Sequence, residues 1–226
     1  MNTYINNLQN ENGVLLNFEK FSSSTIPVVF QKEDDSQVMA IELMTATQIE
    51  ELLFLCDTGR CWRSNTTMFE LWRISSISPN CSMDSILCRI VLADNINPAI
   101  VMRRLSLKSE TNNPWFGLDK VVIPFALQDA GDRKVIRCGM MNREAYEETL
   151  VSEKIVVWSL REKDIWTLKD SDYNPFKIKE IFVDRQNNNL LFSIASYSHS
   201  CRKCYDSCFE DLELVPRILY REAPED

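Results

Sequence analysis

Glycine is scarce in this chain: five in 226 residues, where ordinary composition would place roughly sixteen. Few glycines leave few backbone cradles for phosphate, and no Gly-rich phosphate loop occurs. Histidine is scarcer still. His199 is the only one, so no Ser/His or Cys/His nucleophile system is evident. No apolar run approaches the ~18 residues of a membrane span. The segment from Met1 to Gln9 is polar and lacks the apolar core of a secretion signal. Positive charge is not gathered into a patch, and 25 Lys and Arg against 33 Asp and Glu leave a net charge of −8. That balance speaks against nucleic acid and anionic lipid as partners. A cytoplasmic location is expected. The eight cysteines are then read as reduced thiols or metal ligands rather than disulfides.

What is present is an internal repeat. Ile26-Pro27 opens one stretch and Ile123-Pro124 opens another, 97 residues further on. At that spacing Gln31, Asp35, Val38, Met44, Glu50, Glu51 and Leu53 recur as Gln128, Asp132, Val135, Met141, Glu147, Glu148 and Leu150. Each stretch reads as a strand after Pro, a polar turn, a second strand and a helix. Thr45 and Asn142 stand as helix N-caps, and the helices are expected over about 46–56 and 143–152. Later landmarks are read as Leu71-Trp72 opposite Ile165-Trp166, and Asp94 to Val101 opposite Asp184 to Leu191. The polar stretch 106–115 reads as a linker. It divides a first unit, 1–105, from a second, 116–226. Trp62, Trp72, Trp158 and Trp166 are expected as core or interface anchors. Cys56 and Cys61 read as a helix-end pair of buried thiols.

The second copy resembles phosphoribosyl-AMP cyclohydrolase over roughly residues 116–210. The resemblance rests on Phe116-Gly117-Leu118, Val122-Ile123-Pro124, Gln128-Asp129-Ala130 and Met141-Asn142-Arg143-Glu144-Ala145. Trp158-Ser159, Arg161, Ile165-Trp166 and Val183-Asp184 follow in order. Cys201 and Cys208 close it with the family's spacing. The first copy resembles the family only through the second.

The resemblance implies zinc-dependent hydrolytic opening of the six-membered ring of a purine nucleotide, a step of histidine biosynthesis. In the family, zinc is held by the two closing cysteines and by the cysteine of an Asp-Cys-Asp-x-Asp turn, whose aspartates hold magnesium. The enzymes are homodimers with sites at the subunit interface, so a tandem copy implies an intramolecular pseudo-dimer. The family's turn is Asp184-Arg185-Gln186-Asn187-Asn188 here. Arginine cannot ligate zinc, and one carboxylate among amides is a poor magnesium site. The family's histidine after the first closing cysteine is Arg202. Its substrate loop corresponds to residues 168–174, with Arg161, Trp166, Asp170, Ser171 and Asn174 as the implied substrate contacts. That loop lacks the family's glycines and carries extra carboxylates, which repel phosphate.

One compensation lies in the residues themselves. His199, Cys201, Cys204 and Cys208 place an imidazole and three thiols within ten residues, and Cys-x2-Cys is zinc-like spacing. Cys81 or Cys88 of the first copy is an alternative fourth ligand. The candidate metal set is therefore Cys201, Cys204, Cys208, His199 and Asp184. The expected architecture is α+β: two copies of a twisted antiparallel sheet, each with one main helix, packed as a pseudo-dimer. Two functions remain open: a divergent hydrolase of this type, and a catalytically degenerate member acting as a binding or zinc-stabilised interaction module.

Overall fold

The computed structural model describes residues 9–10, 24–63, 71–92, 102–105, 122–159, 162–184, 189–195, 197–199, 206–209 and 214–215. In chain order the elements are β1 (Gln9–Asn10), β2 (Thr25–Lys32), β3 (Val38–Thr45), α1 (Ala46–Thr58), β4 (Cys61–Arg63), β5 (Leu71–Pro79), β6 (Ile86–Leu92) and β7 (Met102–Leu105). They continue as β8 (Ile123–Asp129), β9 (Val135–Met141), α2 (Arg143–Ser152), β10 (Val156–Ser159), β11 (Asp164–Thr167), β12 (Ile178–Asp184), β13 (Leu190–Ile194) and β14 (Leu214–Val215).

Two five-stranded sheets result, ordered β3-β2-β6-β5-β4 and β9-β8-β13-β12-β7. Two-stranded pairs β10-β11 and β1-β14 stand beside them. The sheets are mixed rather than wholly antiparallel, because β2 runs parallel to β6 and β8 parallel to β13. Such a parallel neighbour needs a crossover, and the helix of each half lies within it. The fold is thus α+β with two similar halves.

Register makes the likeness residue by residue. Ile26, Phe30 and Gln31 pair with Met44, Ala40 and Val38, with a bulge between Phe30 and Gln31. Ile123, Leu127 and Gln128 pair with Met141, Arg137 and Val135, with a bulge at the matching step. The turns match as well. Lys32 N–H donates to Gln37 O at 2.9 Å and Asp129 N–H to Lys134 O at 2.9 Å. Ser36 and Arg133 hold φ of +56° and +62° in those turns. Asp35 and Asp132 each accept the amide two residues on, the side-chain turn that favours aspartate there.

The helices begin where the caps require. Thr45 and Gln48 form a capping box at the start of α1. Asn142 Oδ1 accepts Ala145 N–H at 2.8 Å at the start of α2. Gly59 ends α1 at φ +65°, with its N–H on Cys56 O.

The later landmarks align differently from the sequence reading. β6 pairs with β2 so that Val28 faces Ile86, and β13 pairs with β8 so that Phe125 faces Leu190. Since Val28 and Phe125 are equivalent, Ile86-Leu87 answers Leu190-Leu191. The hairpins agree. Ile77 pairs with Cys88 and Ile181 with Phe192, and bulges fall between Ile74 and Ser76 and between Ile178 and Glu180. Trp72, two residues before Ile74, therefore answers Phe176, not Trp166, and both are fully buried. Conserving a large core volume mattered more than matching an indole. Residues 94–101, taken as the match to 184–191, lie outside the described residues, as does the expected linker 106–115. Strand β7, assigned from sequence to the first unit, hydrogen-bonds along β12 of the second sheet.

Each half has a core between sheet and helix. A third cluster joins the halves. It sets Val29, Val38, Ile41 and Leu87 against Ala126, Val135, Cys138 and Leu191, which are their own register equivalents. Like faces pack on like faces, as in a two-fold dimer interface. Gln31 marks the same relation. Its Nε2 donates to Ser36 O at 2.8 Å and to Arg133 O at 2.8 Å, the equivalent carbonyls of the two turns. Burial of both sheet faces explains the unbroken apolar runs of β2 and β8. No helix among the described residues is long and apolar enough to cross a membrane.

Candidate functional site

The turn joining β5 to β6 carries Asn80, Cys81, Ser82, Met83 and Asp84. Asn80 builds it. Its Oδ1 accepts Asp84 N–H at 2.9 Å and Ser85 N–H at 3.2 Å, and its Nδ2 donates to Asp84 Oδ1 at 2.6 Å. Both side chains are buried. By the hairpin register, Pro79 answers Val183. The residues 80–84 then stand where the second half has Asp184-Arg185-Gln186-Asn187-Asn188. The thiol missing at Arg185 is present in the other half as Cys81.

The closing segment comes to meet it. Ser207 Oγ donates to Val135 O at 2.7 Å. Cys208 N–H donates to Ile136 O at 2.9 Å, so the segment lies along the outer edge of β9. Cys81 N–H donates to Cys208 O at 2.8 Å. Cys81 of one half and the buried Cys208 of the other are thus neighbours across the junction. Cys138 is buried nearby, beside Asp84 and Ser85. Burial pushes its thiol up, and the Asp84 charge adds to this.

The other residues singled out from sequence are placed as follows. His199 Nδ1 is 3.0 Å from Asp206 Oδ1, and its carbonyl accepts Ser171 N–H at 3.0 Å. Asp170 is buried, and its carboxylate is engaged by backbone. Oδ1 accepts from Asp172 N–H and Asn174 N–H, and Oδ2 from Ser198 N–H. It braces its own loop and ties it to the segment at Ser198. Ser171 Oγ is buried without a hydrogen-bond partner among the described residues, and Asn174 is exposed. Asp184 ends β12, paired with Met102. Arg161, Cys201 and Cys204 lie outside the described residues. Among the described residues no group of three or more His, Cys, Asp or Glu is arranged to hold a metal ion.

A cleft of about 130 Å³ opens beside the Cys81 turn and is walled by both halves. Asn80, Ser82 and Asp84 form one side, and Arg137, Cys138 and Gly139 of β9 another. Trp158, Ser159 and Trp166 come from the β10-β11 hairpin, where Val157 faces Trp166. Trp166 is 43% exposed there. Of the sequence-predicted substrate residues, the structure brings Trp166 to this cleft.

Two donor sets can be weighed against metals. Cys81 and Cys208, with Cys201 of the same closing segment, are soft sulfur donors of the kind zinc takes. Asn80 and Asp84 offer one carboxylate, already bonded to the amide, which suits magnesium poorly. Asn80, Asp84 and Arg137 were missed as candidate site residues, and Cys81 was read only as an alternative fourth ligand. Asn80-Cys81-x-x-Asp84 was readable as a worn copy of the metal turn once Ile86-Leu87 is set against Leu190-Leu191.

The family described as phosphoribosyl-AMP cyclohydrolase matches residues 138–210. The phosphoribosyl-AMP cyclohydrolase of Pelotomaculum thermopropionicum is 33% identical over 88 residues, 39% of this chain and 68% of that protein. The same enzyme of Methanosarcina barkeri is 33% identical over 91 residues, 40% of this chain and 70% of that protein. The histidine biosynthesis bifunctional protein HisIE of Photobacterium profundum is 28% identical over 110 residues, 47% of this chain and 53% of that protein.

Proposed function

Because the chain belongs, through its second half, to the phosphoribosyl-AMP cyclohydrolase family, we propose that it is a hydrolase of that type with one composite site per chain. The observation that carries this reading is the 2.8 Å hydrogen bond from Cys81 N–H to Cys208 O. It joins the turn that keeps a thiol to the segment that keeps the closing cysteines. The opposite pairing is dead, since the second half's turn has Arg185 and the first half has no closing cysteine pair. The tandem arrangement therefore retains one site where a symmetric dimer would have two.

Cys81, Cys201 and Cys208 would hold the zinc ion, which supplies an activated water for addition to an amidine carbon. The chain's own residues do the rest. Trp166 offers an exposed indole face on which a flat purine can stack. Asn80, locked by Asp84 and two backbone amides, fixes the thiol-bearing turn.

A second reading has its own support. Arg202 replaces the family's histidine, and Asp170 is used up by its loop. On that reading the thiols hold a structural zinc and the cleft binds without turnover. A ring-opening assay with phosphoribosyl-AMP on the zinc-loaded full chain separates the two. The hydrolase reading expects turnover that falls roughly a hundredfold or more in Cys81→Ser and in Cys208→Ser. Stoichiometric zinc with no turnover leaves the module reading in its place.

A further inference from the structure

Arg137 is a residue whose place in the chain no local rule explains. It lies on β9 opposite Leu127, in a run, Val135 to Met141, that is otherwise apolar or small. Its register equivalent in the first half is Ala40, fully buried in the first core. Arg137 instead opens into the cleft. Among the described residues it has no carboxylate partner. A guanidinium held in a half-buried cleft without an anion is incomplete, because its five donors are built for oxyanions.

A second unpartnered donor belongs to a residue of the same cleft. Trp158 lines the cleft, and its Nε1 is buried with no hydrogen-bond partner among the described residues. A buried indole N–H without an acceptor is destabilising, because its lost hydration is not replaced. Such a group persists where a ligand supplies the acceptor. Among the described lining residues the one carboxylate, Asp84, accepts from Asn80 Nδ2. The donors of Arg137 and Trp158 are therefore left for an incoming anion.

We infer that Arg137, with the Trp158 indole N–H, forms an anion subsite that takes a phosphate group of the nucleotide bound in this cleft. The inference rests on the cleft being the ligand site of the reading above. The phosphate oxygens complete the guanidinium fork, one of them accepts from Nε1, and the base is left to the exposed face of Trp166. This restores an anchor that the loop at 168–174, with its carboxylates and without glycine, does not provide.

The test is calorimetric titration of the full chain with AMP and, separately, with adenosine, which differ by the phosphate. The wild type is expected to bind AMP at least roughly tenfold more tightly than adenosine. Arg137→Gln should erase that preference and leave adenosine binding unchanged, while Arg137→Lys should keep most of it. Trp158→Phe should weaken AMP several-fold. Urea midpoints of the variants control for folding. A wild type without preference for AMP, or an Arg137→Gln variant that binds AMP as tightly as the wild type, overturns the subsite. Equal loss of both ligands in that variant also overturns it. The titration needs no turnover. A chain that shows the preference but opens no ring refutes the hydrolase and leaves the subsite standing.

Discussion

Cys88 shows how single residues set the chain's response to pH. It is fully buried in the first core, and burial, with the nearby Cys56 thiol adding to it, drives its own thiol well above the ordinary value of 9.0. A raised acid keeps its proton in the folded state while the unfolded chain loses it. Stability is therefore intact below about pH 9 and falls as pH rises beyond it, by about 1.4 kcal/mol per pH unit for one such thiol. Urea unfolding should lose about 1.4 kcal/mol less stability in total between pH 8 and pH 10 in Cys88→Ala than in the wild type; equal losses would contradict it. Gly139 shows a steric limit. A Cβ there would lie 2.8 Å from the Phe125 ring, and that ring is packed edge-on against Phe192. Gly139→Ala should cost about 1–3 kcal/mol by overpacking, read as a lowered urea midpoint. A neutral substitution would mean that the ring yields freely. Gly59→Ala tests a different cause. Space there is open, but φ is +65°, so the cost is backbone strain of about 1 kcal/mol.

At the scale of elements, the signals that were readable were local ones. The strand–turn–strand–helix block from Ile26 and its copy from Ile123 came through. Alternation, an Asp-bearing turn and an N-cap all act within a few residues. The capping box of α1 is the sharpest case. Thr45→Ala should remove about 1 kcal/mol, and Gln48→Ala less, in thermal unfolding. Equal stability of Thr45→Ala would mean that the box is ornamental. What did not come through depended on partners far along the chain. Trp72 looked like Trp166 because both are indoles, yet pairing with β6 sets it against Phe176. The equivalence of Cys81 and Arg185 was hidden for the same reason. It follows from which strands flank β2 and β8, and nothing near Cys81 in sequence announces that. Asp170 was read as a ligand contact from its place in the loop. Its carboxylate accepts three backbone amides, a use of aspartate that sequence alone does not separate from binding.

For the molecule as a whole, the two halves share one interior. Val29, Val38, Ile41 and Leu87 meet their own equivalents, so neither sheet face is covered without the other half. Truncating Leu191, which is 4% exposed in that cluster, to alanine should cost about 2–5 kcal/mol. Unfolding should remain a single transition, since both halves lose the same contacts together. Two separated transitions in the wild type would contradict a shared core. The same junction brings Cys81 to Cys208, and the central claim is that these thiols, from opposite halves, grip one metal ion. The most direct test is the zinc content of the purified full chain, by elemental analysis, in the wild type, Cys81→Ser, Cys208→Ser and Cys88→Ser. The account predicts about one zinc per chain, as a three-thiolate site requires, lost in the first two variants and kept in Cys88→Ser. Zinc retained in full by Cys81→Ser, or a wild type that binds none, would contradict it.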